Sequence, residues 1–305
     1  MQTLSLLQLV LGGLSGVLVG FVLGLVGGGG SILAVPLMLY LVGVDNPHVA
    51  IGTSALAVAA NALSNLFVHA RRGNVRWPCA SVFALAGVAG AYLGSSLGKA
   101  VDGQRLLALF AVLMVVIGLQ MLRKRNAQEN AAARISKENA PALVGLGTLA
   151  GGFSGFFGIG GGFLIVPGLM TATGMPMLAA VGSSLVAMSA FGLTTAVNYA
   201  YSGLVNWPLA AAFIVAGSVG GMAGARAAAA LAGHRGLLNS AFACLIFLTA
   251  GYMLWRGGWP GVVSSQSPTQ ASPRVGGGHP RTGPPPPNAP GVAWGKQEAA
   301  RWGKE

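Results

Sequence analysis

Acidic residues are almost absent from this chain. Its 305 residues include six Asp and Glu, namely Asp45, Asp102, Glu129, Glu138, Glu298 and Glu305. Charged residues make up 8% of the whole, against roughly 25% in an average soluble domain, while 53% is hydrophobic. So little charge cannot cover the surface of a water-soluble protein of this size, so the solvent for most of the chain is lipid. Cysteine is equally scarce. Cys79 and Cys244 both fall in apolar stretches, with neither a CxxC partner nor a nearby His pair. That excludes a disulfide framework and a cysteine metal site, and leaves them as small buried hydrophobes. Met1 to Val10 has no Lys or Arg and so lacks the n-region of a secretory signal; the first apolar stretch reads as a retained span.

What charge there is has one sign. The net charge of +12 suggests nucleic acid at first sight, but its distribution does not. Arg71, Arg72 and Arg76 fill one short loop, and Arg123, Lys124, Arg125, Arg134 and Lys137 fill a long central one. By the positive-inside rule both loops are cytoplasmic, next to anionic lipid, with the bilayer and not a nucleic acid as partner.

Eight stretches are long enough to cross a bilayer as helices, which takes about 20 residues. They are approximately Leu4–Val26, Val49–Ala70, Trp77–Leu97, Arg105–Leu122, Ala142–Gly158, Leu178–Tyr201, Trp207–Leu231 and Leu237–Trp255. Two apolar pieces between them, Ile32–Val44 and Phe163–Thr173, are too short to span comfortably. From Gly257 onward Pro, Gly, Ser and Gln dominate, with Pro284–Pro287 in a row; such a tail is expected to be disordered.

A shift of about 130 residues brings the sequence onto itself. Gly16, Gly20, Gly24 and Gly27 fall on Gly147, Gly151, Gly155 and Gly158; Val35-Pro36 falls on Val166-Pro167; Gly73, Val75, Trp77 and Pro78 fall on Gly203, Val205, Trp207 and Pro208. Gly52-Thr53-Ser54 matches Gly182-Ser183-Ser184, and Gly87, Gly90 and Gly94 match Gly217, Gly220 and Gly224. The expected organisation is repeat 1 over 1–122, a basic cytoplasmic linker over 123–141, repeat 2 over 142–256 and the tail over 257–305. The expected fold class is an all-α polytopic membrane protein of two tandem repeats, with eight long spans and two short half-helices.

Each repeat carries a glycine-broken helix: Gly27-Gly28-Gly29-Gly30-Ser31 in the first, Gly158-Ile159-Gly160-Gly161-Gly162 in the second. Glycine adopts backbone angles other residues avoid, and bare amides are tolerated in hydrocarbon only where they are buried in protein or line a cavity. A half-helix beginning after such a break aims its N–H groups and positive dipole end at that cavity. Interrupted short segments at matching places in two halves mark a transporter's binding site. Gly27, Gly28, Gly29, Gly30, Ser31, Gly158, Gly160, Gly161 and Gly162 are therefore candidate substrate-binding residues, with Pro36 and Pro167 shaping the half-helices. The upstream glycines at four-residue spacing read instead as helix packing. A phosphate loop would need Lys after the glycines, and none follows; a dinucleotide fold would need a soluble strand–turn–helix and a downstream acid. No cofactor or metal is implied.

The two motifs carry a family resemblance. Gly24-x2-Gly27-Gly28-Gly29-Gly30-x4-Val35-Pro36 and Gly152-Phe153-Ser154-Gly155-Phe156-Phe157-Gly158-Ile159-Gly160-Gly161-Gly162-x3-Val166-Pro167 resemble the paired signatures of the TauE/SafE sulfite-exporter-like permeases, over nearly the whole chain to about Arg256. The resemblance implies inner-membrane transport of a sulfur-containing oxyanion, a sulfonate or an organic acid.

The expected spans contain no Asp or Glu, the residues on which membrane proton and cation relays usually rest. Two glycine-rich half-helix ends favour an anion instead. Thr53, Ser54, Ser183 and Ser184 are expected to complete its shell, with Asn61, Asn65 and Asn198 as secondary polar candidates. His48 and His69 read as interfacial, and Arg226 as snorkelling. Two other classes stay open: an anion channel, and a membrane enzyme or assembly factor, which would need His, Asp or Cys clustered at one face. The half-helices, counted as re-entrant, give parallel repeats of four spans; counted as crossings, they give inverted repeats of five. Ser202–Asn206 lacks the arginines of its counterpart Arg71–Arg76, which favours inversion.

Overall fold

The computed structural model describes residues 5–123, 139–230, 247–253 and 255. Most of the basic linker, most of the span expected over Leu237–Trp255, Cys244 and the whole tail lie outside the described residues. The described elements are helical throughout. They are α1 (Leu6–Val26), a 3-10 segment (Gly27–Leu33), one α turn, α2 (Ala34–Pro36), a π segment (Leu37–Leu41), α3 (Pro47–Arg71), α4 (Trp77–Ala100), α5 (Gly103–Arg123), α6 (Ala140–Phe157), α7 (Gly162–Thr173), α8 (Met177–Tyr201) and α9 (Trp207–Ala230). A last helical stretch covers residues 247–253, where Tyr252 meets Tyr40 edge-on at 5.2 Å.

Six helices among the described residues are long and apolar enough to cross a membrane: Leu6–Leu25, Pro47–Arg71, Trp77–Ala100, Ala140–Phe157, Leu178–Tyr201 and Trp207–Ala227. Three shorter apolar helical stretches accompany them, Gly30–Leu41, Gly103–Val116 and Leu164–Thr173. Large apolar side chains cover the outside of the bundle, among them Leu85 at 75% exposure and Val215 at 70%. In water such a surface would aggregate; in a bilayer it is the solvated face.

Local sequence fixes the helix ends. After α3, Gly73 (φ +70°) takes the left-handed conformation, its N–H donates to Ala70 O, and the Asn74 N–H donates to His69 O at 3.1 Å. After α8, Gly203 (φ +69°) does the same, with Gly203 N–H on Ala200 O and Leu204 N–H on Tyr199 O. Both are Schellman stops, which glycine alone adopts without a Cβ penalty. Trp-Pro then starts α4 and α9, since proline's missing N–H is no loss in a first turn.

Close approach of backbones holds the bundle together. A methyl on Gly16, Gly20 or Gly24 of α1 would collide with the carbonyls of Phe213, Gly217 or Gly221 of α9. On α6, Gly147, Gly151 and Gly155 stand in the same relation to Phe83, Gly87 and Ala91 of α4. Numbers rise together in both pairs, so α1 runs parallel to α9 and α6 parallel to α4. These glycines are packing residues, as their spacing indicated. α3 and α8 pack antiparallel at the centre. The Asn206 N–H, just past the end of α8, donates to Thr53 Oγ1 near the start of α3 at 2.9 Å. The Arg76 N–H, just past the end of α3, donates to Ser183 Oγ near the start of α8, also at 2.9 Å.

Candidate functional site

The two glycine-rich segments differ in construction. In the second, Gly158, Gly160 and Gly161 all have positive φ, from +66° to +67°. α6 stops at Phe157, and the first α7 bonds run from the Leu164 and Ile165 N–H groups to Gly161 O. The N–H groups ahead of Leu164 therefore have no partner within α7. The first segment is 3-10 helix over Gly27–Leu33, and Gly30 has no positive φ. The chain runs from α1 straight into the 3-10 segment, then through α2 to the π segment around Pro36. The expected break followed by an α half-helix is replaced here by continuous helix of changing pitch. A proline at position 36 removes one backbone donor, and a 3-10 to π transition absorbs the mismatch. Pro167 sits inside α7, where the Thr171 hydroxyl donates to Pro167 O at 2.8 Å.

Both segments reach the centre of the bundle. A Cβ on Gly160 would meet Val58 Cγ1 at 2.8 Å and Met188 Cγ at 3.2 Å, side chains 130 positions apart on the antiparallel helices α3 and α8. A Cβ on Gly158 would strike Ile51 of α3, and one on Gly161 would meet Ser154 Cβ at 2.6 Å. The 3-10 segment of the first unit packs on α7 and α8. Gly30 and Ser31 are buried; of Gly27, Gly28 and Gly29 the backbone path alone is described.

The hydroxyl candidates make protein hydrogen bonds of their own, Ser54 on the Ile51 carbonyl that borders Gly158. Thr53 and Ser183 are fully buried and accept the cross-unit N–H bonds that seat the starts of α9 and α4. Ser54 and Ser184, also fully buried, donate to their own helices at Ile51 O (3.0 Å) and Val181 O (2.8 Å). Asn65 donates to Asn61 O at 2.9 Å, and Asn61 takes a 3.4 Å contact from the Ser218 hydroxyl. Asn198 Nδ2 donates to Ser95 Oγ at 2.6 Å and Ser96 Oγ at 3.0 Å. His69, in the last turn of α3, is 2% exposed and packed among helices. Arg226 is exposed at its helix end, and Cys79 is buried at 2% exposure.

Two cations absent from the sequence-derived candidates stand out. Lys99, at the end of α4, donates to Asn198 O (3.1 Å), Asn198 Oδ1 (2.8 Å) and Ser202 Oγ (2.9 Å), which uses all three ammonium donors. Arg72 Nη1, at the end of α3, donates to Ala225 O of α9 at 3.2 Å. The two cations tie α3 to α9 and α4 to α8 at opposite ends of the bundle and meet carbonyls near a helix C-terminus, where positive charge is favoured. Beside Lys99 an open cleft of about 710 Å³ is lined by residues that include Asp45, His48, Asp102 and Gln104. The sequence signal for both cations was their position at span ends, which also describes plain snorkelling.

Crossing helices of apolar exterior, joined by glycine-rich segments that reach the centre of the bundle, define a multi-pass membrane protein. The chain belongs to the sulfite exporter TauE/SafE family, whose model matches residues 12–287. It is 52% identical over 255 residues to a "Probable membrane transporter protein" of Xylella fastidiosa (strain Temecula1), covering 82% of this chain and 96% of that one. It is 29% identical over 231 residues to the "Probable membrane transporter protein YunE" of Bacillus subtilis, covering 69% and 85%. No solved structure matches.

Proposed function

We propose that the chain is an inner-membrane permease built from two inverted repeats, moving a small anion, a sulfur-containing oxyanion or organosulfonate, through a centre formed by both glycine segments. The observation that carries this reading is the meeting of the second segment with Val58 and Met188, equivalent positions on antiparallel helices, while the first segment packs on α7 and α8. An axis exchanging α3 with an antiparallel α8 lies across the helices, in the plane of a membrane; a parallel repeat would bring them together in the same direction. The offset of 130 relates the helix bounds Pro47–Arg71 to Met177–Tyr201 and the helix start Trp77 to Trp207. The family name speaks for sulfite among the anions to test first. Export needs no coupling ion: a potential of about 100 mV, negative inside, drives a monovalent anion outward by about 2.3 kcal/mol.

The test is flux in proteoliposomes of the purified chain. Saturable movement of sulfite, a sulfonate or thiosulfate supports the reading, and its absence for all of these and for small organic acids removes it. Inversion is tested separately. A cysteine at Asn206 labels with an impermeant thiol reagent from outside the cell, and labelling only from the cytoplasm leaves the repeats parallel.

A further inference from the structure

In a bundle of apolar helices, a buried polar atom without a partner marks a place where something else binds. Several such atoms cluster here by position. On α3, Asn61, Asn65 and His69 follow one another at four-residue spacing and are at most 2% exposed, so they share one helix face. On α8, Thr195 and Tyr199 have the same spacing and are fully buried. Asn61 Nδ2, Thr195 Oγ1 and the Tyr199 hydroxyl have no hydrogen-bond partner among the described residues. Adding 130 to Asn65 and His69 gives Thr195 and Tyr199. The two pairs hold equivalent places on antiparallel helices, so one lies toward the Arg71–Arg76 end and the other toward the Lys99 end.

Beside each pair, its helix forms a polar seam with a parallel neighbour. Between α3 and α9, Ser218 joins Asn61 and meets the Ser64 hydroxyl at 3.4 Å, and Arg72 closes the end on Ala225 O. Between α8 and α4, Asn198 joins Ser95 and Ser96, and Lys99 closes the opposite end. Interhelical hydrogen bonding accounts for the paired groups of each seam. It leaves the unpaired amide and hydroxyl donors without a function.

We infer that these two seams are the two halves of the permeant's route. The α3/α9 half serves the face carrying Arg71–Arg76 and the α4/α8 half serves the opposite face, with the glycine segments at Val58 and Met188 between them. The permeant is a small anion, since each seam ends on a cation, and the unpaired amide and hydroxyls can donate to it. Asp45 and Asp102, both exposed, stand in the cleft outside the Lys99 end, so the selecting charge is Lys99 within the seam and not the cleft as a whole. The inference rests on the transport reading and specifies its path.

The experiment uses the full chain with C79A and C244A as background. N65C and T195C are exposed in oriented membrane vesicles to impermeant methanethiosulfonates, one anionic (sulfonatoethyl) and one cationic (trimethylammonioethyl). H69C and N198C repeat the test, should either first variant fail to give a monodisperse protein. The expected result is labelling of the α3 position only from the Arg71–Arg76 face and of the α8 position only from the other. The anionic reagent should be favoured several-fold over the cationic one, relative to their ratio on free cysteine. Labelling from neither face, or of both positions from one face, overturns the route; preference for the cationic reagent overturns the anion. Two-sided labelling in a chain without flux for the tested anions refutes the permease reading and leaves the route, whereas flux without labelling does the reverse.

Discussion

Replacing Thr53 by Val, and Ser183 by Ala, separates a structural tie from a ligand contact. Each hydroxyl accepts one backbone N–H from the opposite unit at 2.9 Å. Thr→Val keeps the shape of the side chain, and Ser→Ala removes a single atom, so neither opens a large cavity. What each substitution does is leave an amide, of Asn206 or Arg76, without its acceptor. A buried unpaired amide costs about 1–3 kcal/mol. Both bonds are partly buried, so the lower half of that range applies, about 1–2 kcal/mol for each. At about 1.4 kcal/mol per decade, the folded-to-unfolded ratio should fall about 5- to 30-fold for each single variant. The two ties lie at opposite ends of α3 and α8 and share no atoms, so the double variant should lose the sum, about 2–4 kcal/mol. Reversible unfolding in mixed detergent micelles measures this, and anion flux is measured on the same samples. Unchanged stability together with lost flux would refute the reasoning and return both hydroxyls to the anion.

Further outcomes follow from the same geometry. Gly20→Val and Gly151→Val drive a side chain into the carbonyls of Gly217 and Gly87, so neither variant should yield a monodisperse peak in size-exclusion chromatography, and a normal peak would contradict the close approach. Gly→Ala at Gly73 or Gly203, where a Cβ meets nothing, should cost only the left-handed conformation, about 1–2 kcal/mol. The same change at Gly158 must also displace Ile51, and its unfolding midpoint should fall further; equal losses would show that the central break has room. Lys99→Met removes three hydrogen bonds to Asn198 and Ser202, and amide exchange at the end of α8 should quicken about 5- to 30-fold, for about 1–2 kcal/mol of local stability at a half-exposed ion. Unaltered exchange there would show that Lys99 does not hold α8.

The sequence by itself determined the solvent, the helical class and most helix positions. Apolar length and the want of acids decide between lipid and water, and Gly-x-Val-x-Trp-Pro encodes a helix stop and the next start within seven residues, as the bounds Arg71 to Trp77 and Tyr201 to Trp207 show. The upstream glycines were legible too, because small residues at four-residue spacing have one common use in membranes. Tertiary structure alone gave the other candidates their protein partners. The antiparallel crossing of α3 and α8 brings Thr53 and Ser183, read as a ligand shell, to backbone N–H groups 153 and 107 positions away. The two glycine clusters looked alike, yet the second takes left-handed angles at Gly158, Gly160 and Gly161 while the first runs on as 3-10 helix. The cations Lys99 and Arg72 acquire partners about 100 and 150 positions away, a relation no local pattern contains. Periodicity and turn chemistry act over a few residues, whereas which polar groups end up paired is set by the directions in which distant helices cross.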